Sequence, residues 1–496
     1  MKILKKEYFK QTSFYLLFFV IILYQNFLLI FSKTAGDEIF HLSKFGHRIQ
    51  VFNKFIDLWI SKVVYWLLQG DISPLDLLIT LTFNNYLNDN IFFLKIFYLF
   101  LLILSVFLFS YLVYLITEDK NFAALVLVTI SLCFQYQKWH DAFIIFPLYV
   151  MPLFIFLIST TIFFVKYLKN NNNFYFYISM LFIFLSCLMS PVIVAPFLPT
   201  FLLFNFFFKK KLFDKKLFTF YLIPSLFVLG VIYLKFFVTV DSQLYKDLSL
   251  YTIDPAIYSG RVFVKDPSMM IKSFFIQLSS TIPLIFLLRD NYHFIQNLEY
   301  FYSISIFDII YFFLYSFLLF KILKKKILIN NCRIFLILFS TILIFVAFPV
   351  LLSEKYVTTL QTKGVGYGYI YNFYQFFGTN ILLIILVLFI LNKFNYNFKT
   401  VVFFSVFISL IGTLTIIHNR NFIEQSFRYG NEETQAYLNA KRQEFFTNIP
   451  EFSNVFYETS VLSFTNTPAF MAEVIKKRVF SSWYDTRFQD YKFNNS

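Results

Sequence analysis

Residues 192–238 read VIVAPFLPTFLLFNFFFKKKLFDKKLFTFYLIPSLFVLGVIYLKFFV, two apolar runs (192–208 and 217–238) around a knot of five lysines and one aspartate. Each run has roughly the 17–25 residues that carry an α-helix across the hydrocarbon of a bilayer. The charged knot cannot enter that hydrocarbon, so the two runs form a helical hairpin whose turn stays on one side of the membrane.

The same reading extends along the chain. Of 496 residues, 58% are hydrophobic, 76 are Phe and only 14% are charged, a balance that a soluble domain could carry only with large exposed apolar patches. Candidate spans fall at about 13–31, 92–116, 122–135, 143–165, 174–189, 192–208, 217–238, 305–323, 333–352, 378–392 and 400–417. Lysine clusters with few acids mark the N-terminus and segments 117–121, 166–173, 209–216, 321–332 and 393–399 as inner. Short segments 136–142 and 190–191, together with 353–377, lack such clusters and are expected outside. The expected fold is all-α: a polytopic membrane protein of about eleven transmembrane helices, N-terminus inside and C-terminus outside. Residues 1–417 form its membrane domain, with outer loops 32–91, 239–304 and 353–377, and 418–496 form a small extracytoplasmic tail. The first outer loop continues into FNKFIDLWISKVVYWLL, apolar with spaced charges, which suits interfacial helices. Stretch 273–289 is apolar as well. A crossing there would put the lysines of 321–326 outside, so it is expected to be a re-entrant or surface-lying helix ending at Arg289–Asp290.

Several function classes drop out. The net charge of +15 is scattered between spans and not gathered on a soluble face, which argues against nucleic-acid binding. Three cysteines give no disulfide framework or zinc spacing. No Walker A loop, dinucleotide fingerprint, HExxH motif or internal repeat is visible. The basic N-terminus leads into an apolar run without a small-residue cleavage pattern and reads as the first transmembrane helix.

On this topology all five histidines, and eight of nine arginines, lie on the outer side or at the outer end of a span. Lysine suffices to orient a span, whereas the planar fork of arginine suits bidentate contact with phosphate or carboxylate. Longer outer loops holding more of every polar residue would give the same bias. Three constellations lie there. GDEIFHLSKFGHR, residues 36–48, places Asp37, His41, Lys44 and Arg48 on one stripe of a helix beside the first span, with Glu38 on another side. A carboxylate at a membrane–water boundary serves as a general base or holds a metal; as a helix-start acid it merely favours the dipole. KWHD, 138–141, adds His140 and Asp141, and Asp37 with Asp141 would make a partial site for a divalent cation, Mg²⁺ or Mn²⁺. Otherwise it is a polar turn anchored by Trp139. TKGVGYGYIYNFYQFFG, 362–378, alternates glycines with aromatics after Lys363; it suits a wall for a sugar or pyrophosphate, or an aromatic belt.

The pattern of a first span, then the acidic pair Asp37–Glu38 and the downstream Gly46–His47–Arg48, resembles the GT-C class of membrane glycosyltransferases. It is similar in particular to phage-type O-antigen glucosyltransferases and other bacterial proteins that modify surface polysaccharides. That resemblance implies transfer of a sugar from a polyprenyl-phosphate carrier to a glycan or lipid-linked acceptor on the outer face of the inner membrane. It makes Asp37 the catalytic base or metal-orienting acid with Glu38 beside it, and Arg48 or Lys363 the group facing the lipid phosphate. His41, His140, Arg261 and Tyr367 complete the candidate substrate-binding residues. A polysaccharide polymerase or ligase, relying on Arg261, Arg289 or Arg420, is the enzymatic alternative. A flippase or transporter is the non-enzymatic one; it calls for charges deep in several spans, where Lys235 is the one noted.

Overall fold

The computed structural model describes residues 72–87, 91–136, 147–211, 215–236, 264–288, 304–327 and 332–442, with Ile329 and scattered residues between 19 and 67. Fourteen α-helices are followed here: α1 (Pro74–Leu87), α2 (Ile91–Thr117), α3 (Lys120–Cys133), α4 (Pro147–Asn170), α5 (Asn173–Met189), α6 (Pro191–Phe197), α7 (Pro199–Lys209), α8 (Lys215–Phe236), α9 (Pro267–Ser279), α10 (Ile306–Leu323), α11 (Arg333–Phe345), α12 (Glu354–Lys363), α13 (Asn372–Lys393) and α14 (Phe398–Arg442). Short 3₁₀ segments stand at Phe27–Phe31, Ile285–Leu288 and Phe348–Leu352, and no strand occurs among the described residues.

The described residues are therefore all-helical, and among them eight helical stretches are long and apolar enough to cross a membrane. They are Phe92–Thr117, Pro147–Asn170, Pro191–Lys209, Lys215–Leu234, Ile306–Leu323, Arg333–Leu352, Asn372–Lys393 and Phe398–Asn421, as expected of a multi-pass membrane protein. The expected spans 122–135 and 174–189 correspond to shorter apolar helices, Lys120–Cys133 and Asn173–Met189. Most of 13–31 lies outside the described residues.

Local chemistry sets the helix ends. Asp119 caps α3 by accepting from the amides of Asn121 (2.7 Å) and Phe122 (3.1 Å), and Asn172 caps α5 through the amide of Phe174 (2.9 Å). Pro196 and Pro199 flank the junction of α6 and α7, where each missing amide donor and ring interrupts the helical ladder. Three expectations shift. Stretch 273–289 is no single helix: α9 begins earlier, at Pro267, and ends at Ser279, before the 3₁₀ turn Ile285–Leu288. α13 starts at Asn372, inside the aromatic–glycine stretch, so Gly378 is a helical residue. There a Cβ would lie 2.5 Å from the Ser340 carbonyl, so the missing side chain is what lets α13 and α11 approach. Finally, α14 runs unbroken across the expected boundary at 417/418.

Between helices in a bilayer the solvent is as apolar as the side chains, so close packing and not water exclusion holds them together. Interlocked aromatics supply much of it. Phe109 of α2 meets Phe377 of α13 edge-on at 4.7 Å, Phe154 of α4 meets Phe377 at 4.5 Å, and Phe204 of α7 meets Phe335 of α11 at 4.7 Å. Exposed apolar side chains such as Phe218 and Leu226 of α8 and Phe307 and Phe313 of α10 form the outer, lipid-compatible surface.

Contacts also sort the two ends of the bundle. At one end Lys169 pairs with Glu118, Lys216 bonds Asn173, Lys209 donates to the Tyr167 hydroxyl (3.0 Å) and Tyr396 donates to the Ile327 carbonyl (3.2 Å). At the other, Arg420 meets Asp308, Asn419 meets Tyr136, and the hydroxyls of Tyr149 and Tyr371 lie 3.0 Å apart. Segments that share a side by their lysine content thus meet in space.

Candidate functional site

The end away from the lysines carries a run of consecutive polar residues on α14: His418, Asn419, Arg420 and Asn421. Arg420 reaches the first turn of α10. Its Nη1 lies 2.8 Å from Asp308 Oδ1 and its Nη2 2.9 Å from Oδ2, a fork-to-fork contact. Oδ2 also accepts from the Ser305 amide (2.7 Å) and hydroxyl (2.9 Å), while Ser305 caps the Asp308 amide at 3.3 Å, a reciprocal capping box. Asp308 is 2% exposed. A carboxylate so deeply buried is tolerated because four donors converge on it.

One residue earlier, Asn419 serves a different neighbour. Its Oδ1 accepts from the Tyr136 amide (2.9 Å) and its Nδ2 donates to the Phe134 carbonyl (2.7 Å), closing two bonds on the extended chain after α3. The Tyr136 hydroxyl in turn donates to Asn26 Oδ1 (2.9 Å), tying in the first helical segment. The held stretch leads directly into 137–141, which contains Lys138, His140 and Asp141.

A second polar group surrounds the turn between α12 and α13. Gly364 and Gly366 take φ of +85° and +83°, conformations that a Cβ makes costly. The Gly366 amide donates to Ser279 Oγ (3.0 Å) and Asn372 Nδ2 to Ser280 Oγ (3.3 Å), which docks the turn on the end of α9. At Gly368 a Cβ would lie 2.4 Å from both Asn372 Nδ2 and Ser280 Oγ, so the close backbone approach serves the protein's own packing. Tyr374 is fully buried and donates to the Val150 carbonyl (3.3 Å), and Tyr367 and Tyr369 are buried too. Beside them, both amide atoms of Gln277 and Oε1 of Gln375 are buried with no hydrogen-bond partner among the described residues.

Lys95 is a further buried charge. It lies one turn into α2, is 0% exposed, and holds its ammonium 5.3 Å from the centre of the Tyr98 ring.

Of the residues singled out from sequence, Asp37, Glu38, His41, Arg48, His140, Asp141 and Arg261 lie outside the described residues. Lys363 is the last residue of α12, and Tyr367 is 8% exposed in the turn that follows. Among the described residues no group of three or more His, Cys, Asp or Glu is placed to hold a metal; both carboxylates of the expected cation site lie outside them. Asp308 and Lys95 went unnoticed in the sequence. Asp308 had a readable signal, Ser-x-x-Asp before an apolar run, and Lys95 is a cation four residues into a span. Gln277 and Gln375 carry no pattern that marks them.

No family model, no curated protein and no solved structure matches the chain.

Proposed function

We propose that the protein is a membrane glycosyltransferase of the GT-C kind, transferring a sugar from a polyprenyl-phosphate carrier to a glycan or lipid-linked acceptor. The working face is the bundle end away from the lysines, outside the inner membrane. In this reading eleven spans leave the N-terminus inside, and Asp37 deprotonates the acceptor hydroxyl or orients a divalent cation. Arg48 or Lys363 faces the donor phosphate, with His41 beside it, and His140, Arg261 and Tyr367 complete the substrate site. A phosphate leaving group is already activated, so such an enzyme needs placement, a base and positive charge more than a nucleotide site.

The observation that supports this reading best is the pair of clasps on α14. Asn419 fixes the chain that leads into His140 and Asp141, and Arg420 fixes the start of α10, both at one end of the bundle. A catalytic face assembled from loops needs such rigid mounts. The polymerase alternative draws on Arg420, but that guanidinium is already engaged by Asp308. Buried Lys95 is what a transporter reading would cite, yet it sits near the end of α2 and not mid-span.

The test is Asp37→Asn, scored by profiling surface glycans at matched membrane levels. Loss of a general base is expected to cut transfer by about 10²–10⁴-fold. Unchanged glycans at normal protein level would overturn the assignment.

A further inference from the structure

The lysine end of the bundle has an organisation beyond what orienting a span requires. Lys169 lies in the last turn of α4, Lys209 ends α7 with Lys210 as its C-cap, and Lys216 is the second residue of α8. These three segments converge on one tyrosine. Lys209 lies 4.4 Å and Lys216 5.0 Å from the centre of the Tyr167 ring, and Lys209 also donates to its hydroxyl. The two ammonium groups are thus within roughly one Debye length, about 10 Å, and repel each other with little screening. Lys169 and Lys210 stand over the neighbouring rings of Phe208 and Phe207, both at 5.5 Å.

The local balance is strongly positive. Segment 209–216 has five lysines against Asp214, and Glu118 is engaged by Lys169. Two helix N-termini open onto the same place, those of α5 and α8, joined by the contact of Lys216 with Asn173. Their amide ends add positive potential. Lys169 and Lys210 are exposed, whereas Lys209 and Lys216 are half-buried against the Tyr167 ring.

What adjoins the cluster identifies the class of anion. Phe174 and Tyr177 of α5, Phe206 of α7 and Phe218 of α8 are all half or more exposed, within two turns of the lysines. Lysines at these helix ends, with exposed aromatics on the same or the adjoining helices as an apolar wall, fit a ligand with an anionic head and apolar tails. Free phosphate would have no use for the wall. We propose that Lys169, Lys209, Lys210 and Lys216, around Tyr167 and Asn173, form a binding site for the phosphodiester headgroup of an anionic membrane lipid, with its acyl chains on that wall. The proposal needs only that these helices stand in a bilayer, and it is independent of the glycosyltransferase reading.

The experiment uses the full chain in nanodiscs of phosphatidylcholine, with or without phosphatidylglycerol, and in phosphatidylcholine with added inorganic phosphate. Lipid retained through purification is read by native mass spectrometry, and thermal unfolding is followed in parallel. Phosphatidylglycerol is expected to stay bound and to raise the unfolding temperature, where phosphatidylcholine and phosphate do not. K209Q/K210Q/K216Q should weaken its retention roughly a hundredfold, while K324Q/K325Q/K326Q, which removes equal charge elsewhere at the same end, should leave it near the parent level. If the first triple variant does not accumulate, Lys216→Gln alone is expected to weaken retention about fivefold. Equal loss in both triple variants, unchanged retention in K216Q, no preference over phosphatidylcholine, or equal stabilisation by phosphate would each overturn the site.

Discussion

Asp308 and Arg420 make a largely buried ion pair whose two charges depend on each other. Each charge alone would be intolerable among apolar helices; together, with Ser305, they leave no oxygen of the carboxylate unmatched. Arg420→Met keeps the bulk but strands Asp308, and is expected to destabilise the fold by about 3–5 kcal/mol. The double variant D308L/R420M should recover most of that loss, since a packed apolar pair asks for no partners. Chemical unfolding in detergent measures both, and a double variant as weak as the single would refute the argument. At this scale the sequence was only partly legible. Arginine 420 stood out by its side of the membrane, but its partner lies 112 positions earlier, a separation no local pattern bridges. Alternate glycines around Tyr367 mark close backbone approach, which suits either a ligand wall or an aromatic belt. That approach is real, but the chain makes it to Ser280 and Asn372.

Elements were far more legible than contacts, because a span needs only length and apolarity. α13 begins at Asn372, six residues before the expected span at 378, and Gly378 within it admits a neighbouring helix. α9 offers a prediction of its own. Asp266 caps it, accepting from the Ser268 amide and hydroxyl at 2.8 Å each. Those bonds, the hydroxyl's first, hold its carboxyl below the ordinary value of 3.8. A carboxyl lowered in the folded state stabilises fully above the unfolded value and loses that contribution as pH falls through the folded one. Protection of the Ser268 and Met269 amides, taken relative to unstructured amides at the same pH, is therefore expected to fall as pH drops below 3.8, with the dependence absent in Asp266→Asn. A flat profile in the parent protein would contradict the cap.

At the scale of the molecule, lysine content and contact agree among the described residues: segment 166–173 touches both 117–121 and 209–216, and 393–399 touches 321–332. That follows from physics common to both: ends on one side of a bilayer are the only ones able to touch. The first-loop acids are another matter, since Asp37 and its companions lie outside the described residues. Sidedness itself is testable with thiol chemistry. Cys133, Cys187 and Cys332 are buried, and burial also pushes the Cys332 thiol up, so their background reaction is small. Cysteines placed at the exposed positions Lys211 and Ser268 should label with an impermeant maleimide from opposite sides of sealed vesicles, Ser268→Cys from the outer one. Labelling of both from one side would break the topology.

The two clasps on α14 have a mechanical consequence. Successive side chains on a helix project about 100° apart, given 3.6 residues per turn. Asn419 and Arg420 therefore grip α3's trailing chain and α10's leading turn from different flanks of one rod. Such a rod is keyed like an axle in two slots: it cannot roll about its own axis without shearing both sets of bonds at once. Rolling of α14 is thus barred, and the motions left to it are tilting and sliding as one body with the pieces it holds.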